Sequence, residues 1–101
     1  MRSFEVSGRS PAEVVAAIRD DLDRRDLSDF VRIELDGDRM EVRLSYLGTT
    51  KLLYRLERTS AGFVARLEDE RIARVHGPFV ARFQGRFGEA LARIGARPVP
   101  E

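Results

Sequence analysis

The sequence predicts an α+β fold of order β-α-β-β-β-β(-β)-α: an antiparallel meander sheet with two helices packed on one face. Three observations predict it. Ser10-Pro11-Ala12-Glu13 opens a helix on a capping box. Apolar residues then alternate with polar ones between turn signals from Val31 to Leu67. Near the C-terminus, Phe79, Phe83, Phe87 and Leu91 recur every four residues, which lines them along one side of a second helix.

The 101 residues suit one domain, 1–101, with Pro98 and Pro100 marking residues 97–101 as a frayed tail. Hydrophobic residues at 43% and charged residues at 35% describe an ordered chain with a densely ionised surface. Basic and acidic side chains nearly cancel, to a net charge of +1, so no global field steers the molecule toward nucleic acid. Zero Cys excludes disulfides, thiolate nucleophiles and thiolate zinc sites. No apolar run approaches the roughly 20 residues a membrane span needs, and the first residues lack a signal-peptide core, so a cytoplasmic protein without membrane insertion is expected.

Taken in order, Phe4 and Val6 alternate with Glu5 and Ser7 as a short strand, an edge or an early partner of the sheet. The capped helix buries Val14, Ile18 and Leu22, and its wet side carries Arg19 with Asp23, Asp20 with Arg24, and Asp21 with Arg25 at i,i+4. Val31, Ile33 and Leu35 lead into Asp36-Gly37, a type I′ hairpin signal; Leu35 set against Asp38 puts Ile33 opposite Met40 and Val31 opposite Val42. A three-residue loop of Gly48, Thr49 and Thr50 sets Leu52, Tyr54 and Leu56 opposite Tyr46, Leu44 and Val42. A four-residue loop, Thr59 to Gly62, sets Leu56 against Ala65 and Tyr54 against Leu67. The stretch Glu68 to His76 is read as continuing strand, and Gly77-Pro78 opens the Phe helix.

Three constellations stand out. On the last helix, Ala81, Gly85, Gly88 and Ala92 form a small-residue face opposite the Phe stripe, where another backbone can come close. On the outward face of the sheet, the expected registers put Arg43, Arg55 and Arg66 in one row, beside a row of Arg32, Glu41 and Glu57. Arg74 and His76 precede the helix start, a place suited to anions. The single His without Cys gives no metal site, and no phosphate-binding Gly loop, nucleophile elbow or dinucleotide fingerprint occurs. Neither a cofactor nor catalysis is expected.

The order of elements resembles an abbreviated helix-grip fold, the START and Bet v 1-like family, with one helix rather than two after the first strand. That resemblance implies a curved sheet gripping a C-terminal helix around an apolar cavity.

The leading expectation is a non-catalytic binding or adaptor domain that self-associates as a homodimer through Ala81, Gly85, Gly88 and Ala92. The alternative is a carrier of a small apolar, lipid-like ligand lined by Phe79, Phe83, Phe87, Tyr46 and Tyr54. A weaker one is polyanion binding through Arg43, Arg55 and Arg66, with Arg74 and His76. The absence of aromatic residues among those arginines argues against nucleic acid.

Overall fold

The computed structural model describes residues 3–45, 47–73, 85 and 88–99. The elements are β1 (Phe4–Ser7), α1 (Pro11–Arg24), β2 (Val31–Asp36), β3 (Arg39–Ser45), β4 (Thr49–Arg58), β5 (Gly62–Arg71) and β6 (Ala96–Pro98). A second helix, α2, precedes β6 and includes residues 85 and 88–93. The six strands make one antiparallel sheet in the order β2-β3-β4-β5-β1-β6, so the fold is α+β as predicted.

α1 starts where the capping box places it. Ser10 Oγ accepts from the Glu13 amide at 3.2 Å, Glu13 Oε1 accepts from the Ser10 amide at 3.1 Å, and Pro11 fills the first turn. The Ser10 amide and hydroxyl hold the exposed Glu13 carboxyl below the usual carboxylate range. Arg24 pairs with Asp20 at 2.9 Å and Arg25 with Asp21 at 3.2 Å, as the helical spacing predicts. Arg19 does not join Asp23. Its guanidinium instead donates twice, at 3.1 and 2.7 Å, to the Ile33 carbonyl of β2.

Alternation puts one face of every strand inward. Val31, Ile33, Met40, Val42, Leu52, Tyr54, Leu56, Phe63, Ala65, Phe4 and Val6 form one core with Val14, Val15 and Ile18 of α1 and Leu91 of α2. Phe4 meets Tyr54 edge-on, with ring centres 5.5 Å apart. An ion pair of 3.7 Å between Arg93 and Asp21 ties the two helices.

The faces are as predicted, but two registers are not. β2 and β3 pair Asp36 with Arg39, Leu35 with Met40, Ile33 with Val42 and Val31 with Leu44, two positions from the expected alignment. The turn residues are Gly37 and Asp38 with positive φ only at Gly37 (φ 61), the φ pattern of a II′ turn, which wants Gly first; a I′ turn on Asp36-Gly37 would need it at both. The β3–β4 loop has three residues as expected, but they are 46–48: Ser45 pairs with Thr49, Val42 with Leu52 and Met40 with Tyr54. Both slips are even, so no side chain changes face. The β4–β5 register agrees with expectation, Leu56 facing Ala65 and Tyr54 facing Leu67, and β5 continues through Arg71 after an irregularity opposite Leu53 and Tyr54.

At the other end of the sheet, β1 is interior rather than an edge, because β6 covers it: Phe4 pairs with Pro98, Glu5 with Arg97 and Val6 with Ala96. Arg97 and Pro98 thus belong to a strand where a frayed tail was expected, and the additional strand follows the last helix instead of preceding it.

Candidate interaction surfaces

The outward face of the sheet is striped. Arg55 faces Arg66 as the sequence suggests, but Arg43 does not share their row, because the β3–β4 loop lies two residues earlier than expected. Arg39 takes its place, and Arg43 stands between Arg32 and Lys51, with Arg71 opposite Lys51. The expected mixed row of Arg32, Glu41 and Glu57 is likewise divided: Glu41 lies between Glu34 and Leu53, and Glu57 faces Val64. Basic and acidic rows therefore alternate along the strands. Arg32 faces Arg43, Glu34 faces Glu41 and Arg55 faces Arg66, which is unfavourable, while Asp36 opposite Arg39 and opposite charges on neighbouring rows offset it. Arg43 reaches Glu41 at 3.2 Å, Arg66 reaches Glu57 at 3.2 Å, Arg71 reaches Asp69 at 3.6 Å and Arg39 reaches Glu68 at 3.8 Å. Among the described residues, Arg32, Lys51 and Arg55 have no such ion-pair partner.

The helix constellations are described only in part. Phe79, Phe83, Phe87, Ala81, Arg74, His76 and Tyr46 lie outside the described residues. Of the small-residue face, Gly85 and Ala92 are exposed and Gly88 is half-buried, while Leu91 beside them is fully buried. Among the described residues, nothing beyond its own helix lies within 4 Å of the place a Gly85 Cβ would occupy, so none of them makes a close approach there. Tyr54, expected to line an apolar ligand space, is fully buried in the core against Phe4.

The surface that sequence reasoning missed is the β2 edge. Val31 donates its amide to the Leu27 carbonyl, and the Ile33 carbonyl receives Arg19, so the odd-numbered residues of β2 turn their backbone groups away from β3. Between this edge and α1 runs an open cleft of about 240 Å³, lined by Arg19, Leu22, Asp23 and Ser28 on one side and Val31 to Glu34 on the other. The signal in the sequence was Arg19 itself, which sits on α1 one turn from the buried Val15 and beside Ile18, close enough to the core face to reach a strand edge.

Among the described residues, no three His, Asp or Glu side chains gather as a metal ion would require, and no helix is long and apolar enough to cross a membrane. Comparison with models of known families, with curated proteins and with solved structures finds no match. The likeness to the helix-grip family therefore rests on element order alone.

Proposed function

We propose that this chain is a non-catalytic binding domain that associates with a second copy of itself by joining the two β2 edges. The observation that carries this proposal is the complementarity of β2 with itself. An antiparallel pairing centred on Ile33 sets Val31 against the partner's Leu35 on the apolar face and Arg32 against the partner's Glu34 on the outward face. Each charged pair occurs twice by symmetry. The Ile33 amide donates to the partner's Ile33 carbonyl and the Leu35 amide to the partner's Val31 carbonyl, and the sheet continues from one copy into the next.

The two sheet edges differ in a way that supports this choice. β6 is three residues long and carries Pro98, both devices that blunt an edge. β2 is six residues long, and among the described residues its outward backbone groups are met by the Leu27 carbonyl at Val31 and the Arg19 guanidinium at Ile33. Association displaces that guanidinium from Ile33 into a cleft also lined by Asp23 and Glu34.

Light scattering across a concentration series tests this. Wild-type protein is expected to move from monomer mass toward dimer mass. Glu34→Arg places like charges opposite Arg32 in both symmetric pairs, at roughly 0.2–1 kcal/mol each, and shifts the equilibrium to monomer. The double exchange Arg32→Glu with Glu34→Arg restores the dimer. A wild-type mass that stays monomeric at every concentration, or a Glu34→Arg variant that still dimerises, overturns the proposal.

A further inference from the structure

We propose that the end of the sheet bearing the β3–β4 loop docks peripherally on an anionic lipid bilayer. In this contact Leu47 enters the interface, and the row Arg32, Arg43, Lys51 and Arg71 meets the lipid phosphates. The three large hydrophobic side chains exposed among the described residues are Leu47 at 78%, Ile72 at 42% and Phe30 at 41%. The hydrogen bonds bring all three to one end of the molecule. The Phe30 carbonyl accepts from Ser45 at the end of β3, Leu47 occupies the loop that follows, and Ala73, next to Ile72, donates to Thr50 at the start of β4.

The basic row lies directly behind them. With neighbouring strands ~4.8 Å apart, four cations across β2, β3, β4 and β5 span ~14 Å, and β3 extends ~7 Å beyond Arg43 to its end. Leu47 thus projects roughly 10 Å past the row, comparable to the depth at which interfacial apolar groups settle below the lipid phosphates. The acidic row of Glu34, Glu41 and Asp69 lies on the far side of the cations from the tip. On the β4 and β5 side, a surface approaching the loop therefore meets Lys51 and Arg71 before that acidic row. Arg43 and Arg71 are braced from behind by Glu41 and Asp69, whereas Arg32 and Lys51 are not. Lys51 and Arg71 also stand two and three strands away from Asp26 and Asp29, the carboxylates of the α1–β2 connection.

The backbone adds to this. Leu47 has φ 53, a left-handed conformation in which glycine or asparagine would be at ease. A bulky aliphatic residue held there and left exposed contributes nothing to the core. Of the three exposed side chains Phe30 alone offers a ring face on which a nucleic-acid base could stack; Leu47, the most exposed, and Ile72 are aliphatic and suit a hydrocarbon boundary.

The test is co-sedimentation of the full chain with vesicles of phosphatidylcholine alone, or of phosphatidylcholine with phosphatidylserine, at low and high salt. Wild type is expected to bind the phosphatidylserine vesicles at low salt, to release with added salt, and to ignore phosphatidylcholine alone. Lys51→Gln should weaken binding about fivefold, the share of one cation at an anionic surface. Leu47→Gly leaves the charge unchanged and suits the loop backbone, so the fold is kept or strengthened while vesicle binding falls several-fold. The chain has no Trp, so Leu47→Trp supplies a single reporter whose emission should shift to the blue on phosphatidylserine vesicles. No binding at low salt, binding unchanged in Lys51→Gln or Leu47→Gly, or a Trp emission that stays that of water overturns the proposal. Tighter, Lys51-dependent binding to a single-stranded nucleic acid overturns it in favour of that partner. Lys51 and Leu47 lie off the β2 edge, so these outcomes are separable from those for self-association.

Discussion

Gly62 is the residue on which the centre of the sheet depends most closely. A Cβ at this position would run into the carbonyl oxygen of Val6 on the neighbouring strand, so β5 can pair with β1 through Ser7 and Gly62 only because no side chain is present. Phe63 and Ala65, the buried neighbours on β5, would be displaced together with the strand. Gly62→Ala is expected to cost ~1–3 kcal/mol, as overpacking does, seen as a lower urea midpoint with an unchanged slope. A midpoint equal to wild type would show that β1 shifts freely and that the close approach is not a constraint. Leu47 is the opposite case, a strained residue that the core does not use; its conformation follows from the loop, and its side chain is what the surface offers.

At the scale of elements, α1 carries the clearest link from sequence to stability. Ser10→Ala removes one half of the capping box and should cost ~1 kcal/mol. The pH dependence has a definite sign. Glu13 has its carboxyl lowered in the folded chain, so its contribution is present above the ordinary carboxylate range and is lost as pH falls through the lowered value. Wild type should therefore lose stability relative to Glu13→Gln on acidification, read as converging thermal midpoints. Midpoints that differ by a constant amount at all pH values would exclude the ionised cap.

The strands show which parts of the fold were legible. The described inward apolar residues from Val31 to Leu67 were readable, because period-two alternation depends only on local pattern; Thr50, buried near the start of β4, was not, because the loop was expected to include it. Registers were not, because each turn sequence admits neighbouring solutions that differ by an even step and bury the same side chains. Gly37 selects one through its φ, and the position of the 46–48 loop selects the other. That even slip is also why the outward rows were misassigned: Arg43 keeps its face but changes its neighbours from Arg55 to Lys51. β6 escaped notice because Ala96-Arg97-Pro98 has no apolar alternation of its own. It exists by pairing with Glu5 and its neighbours, a contact between the two ends of the chain, and Arg97 adds a 3.1 Å ion pair to Glu5.

For the whole molecule, the consequence of these registers is a division of surfaces. One face of the sheet is filled by α1 and by Leu91 of α2, and the other is a striped field of charge. One edge is short and carries proline, and the other is long and met by the Leu27 carbonyl at Val31 and by Arg19 at Ile33. The central claim, that the long edge is a self-complementary binding strand, is tested most directly by amide hydrogen exchange at Ile33 and Leu35 as protein concentration is raised. These amides point away from β3, whereas those of Arg32 and Glu34 lie within the β2–β3 ladder. Strand addition predicts that exchange at Ile33 and Leu35 slows with concentration while Arg32 and Glu34 change little. Concentration-independent exchange at Ile33, or slowing confined to the residues around Gly85 and Ala92, would contradict it.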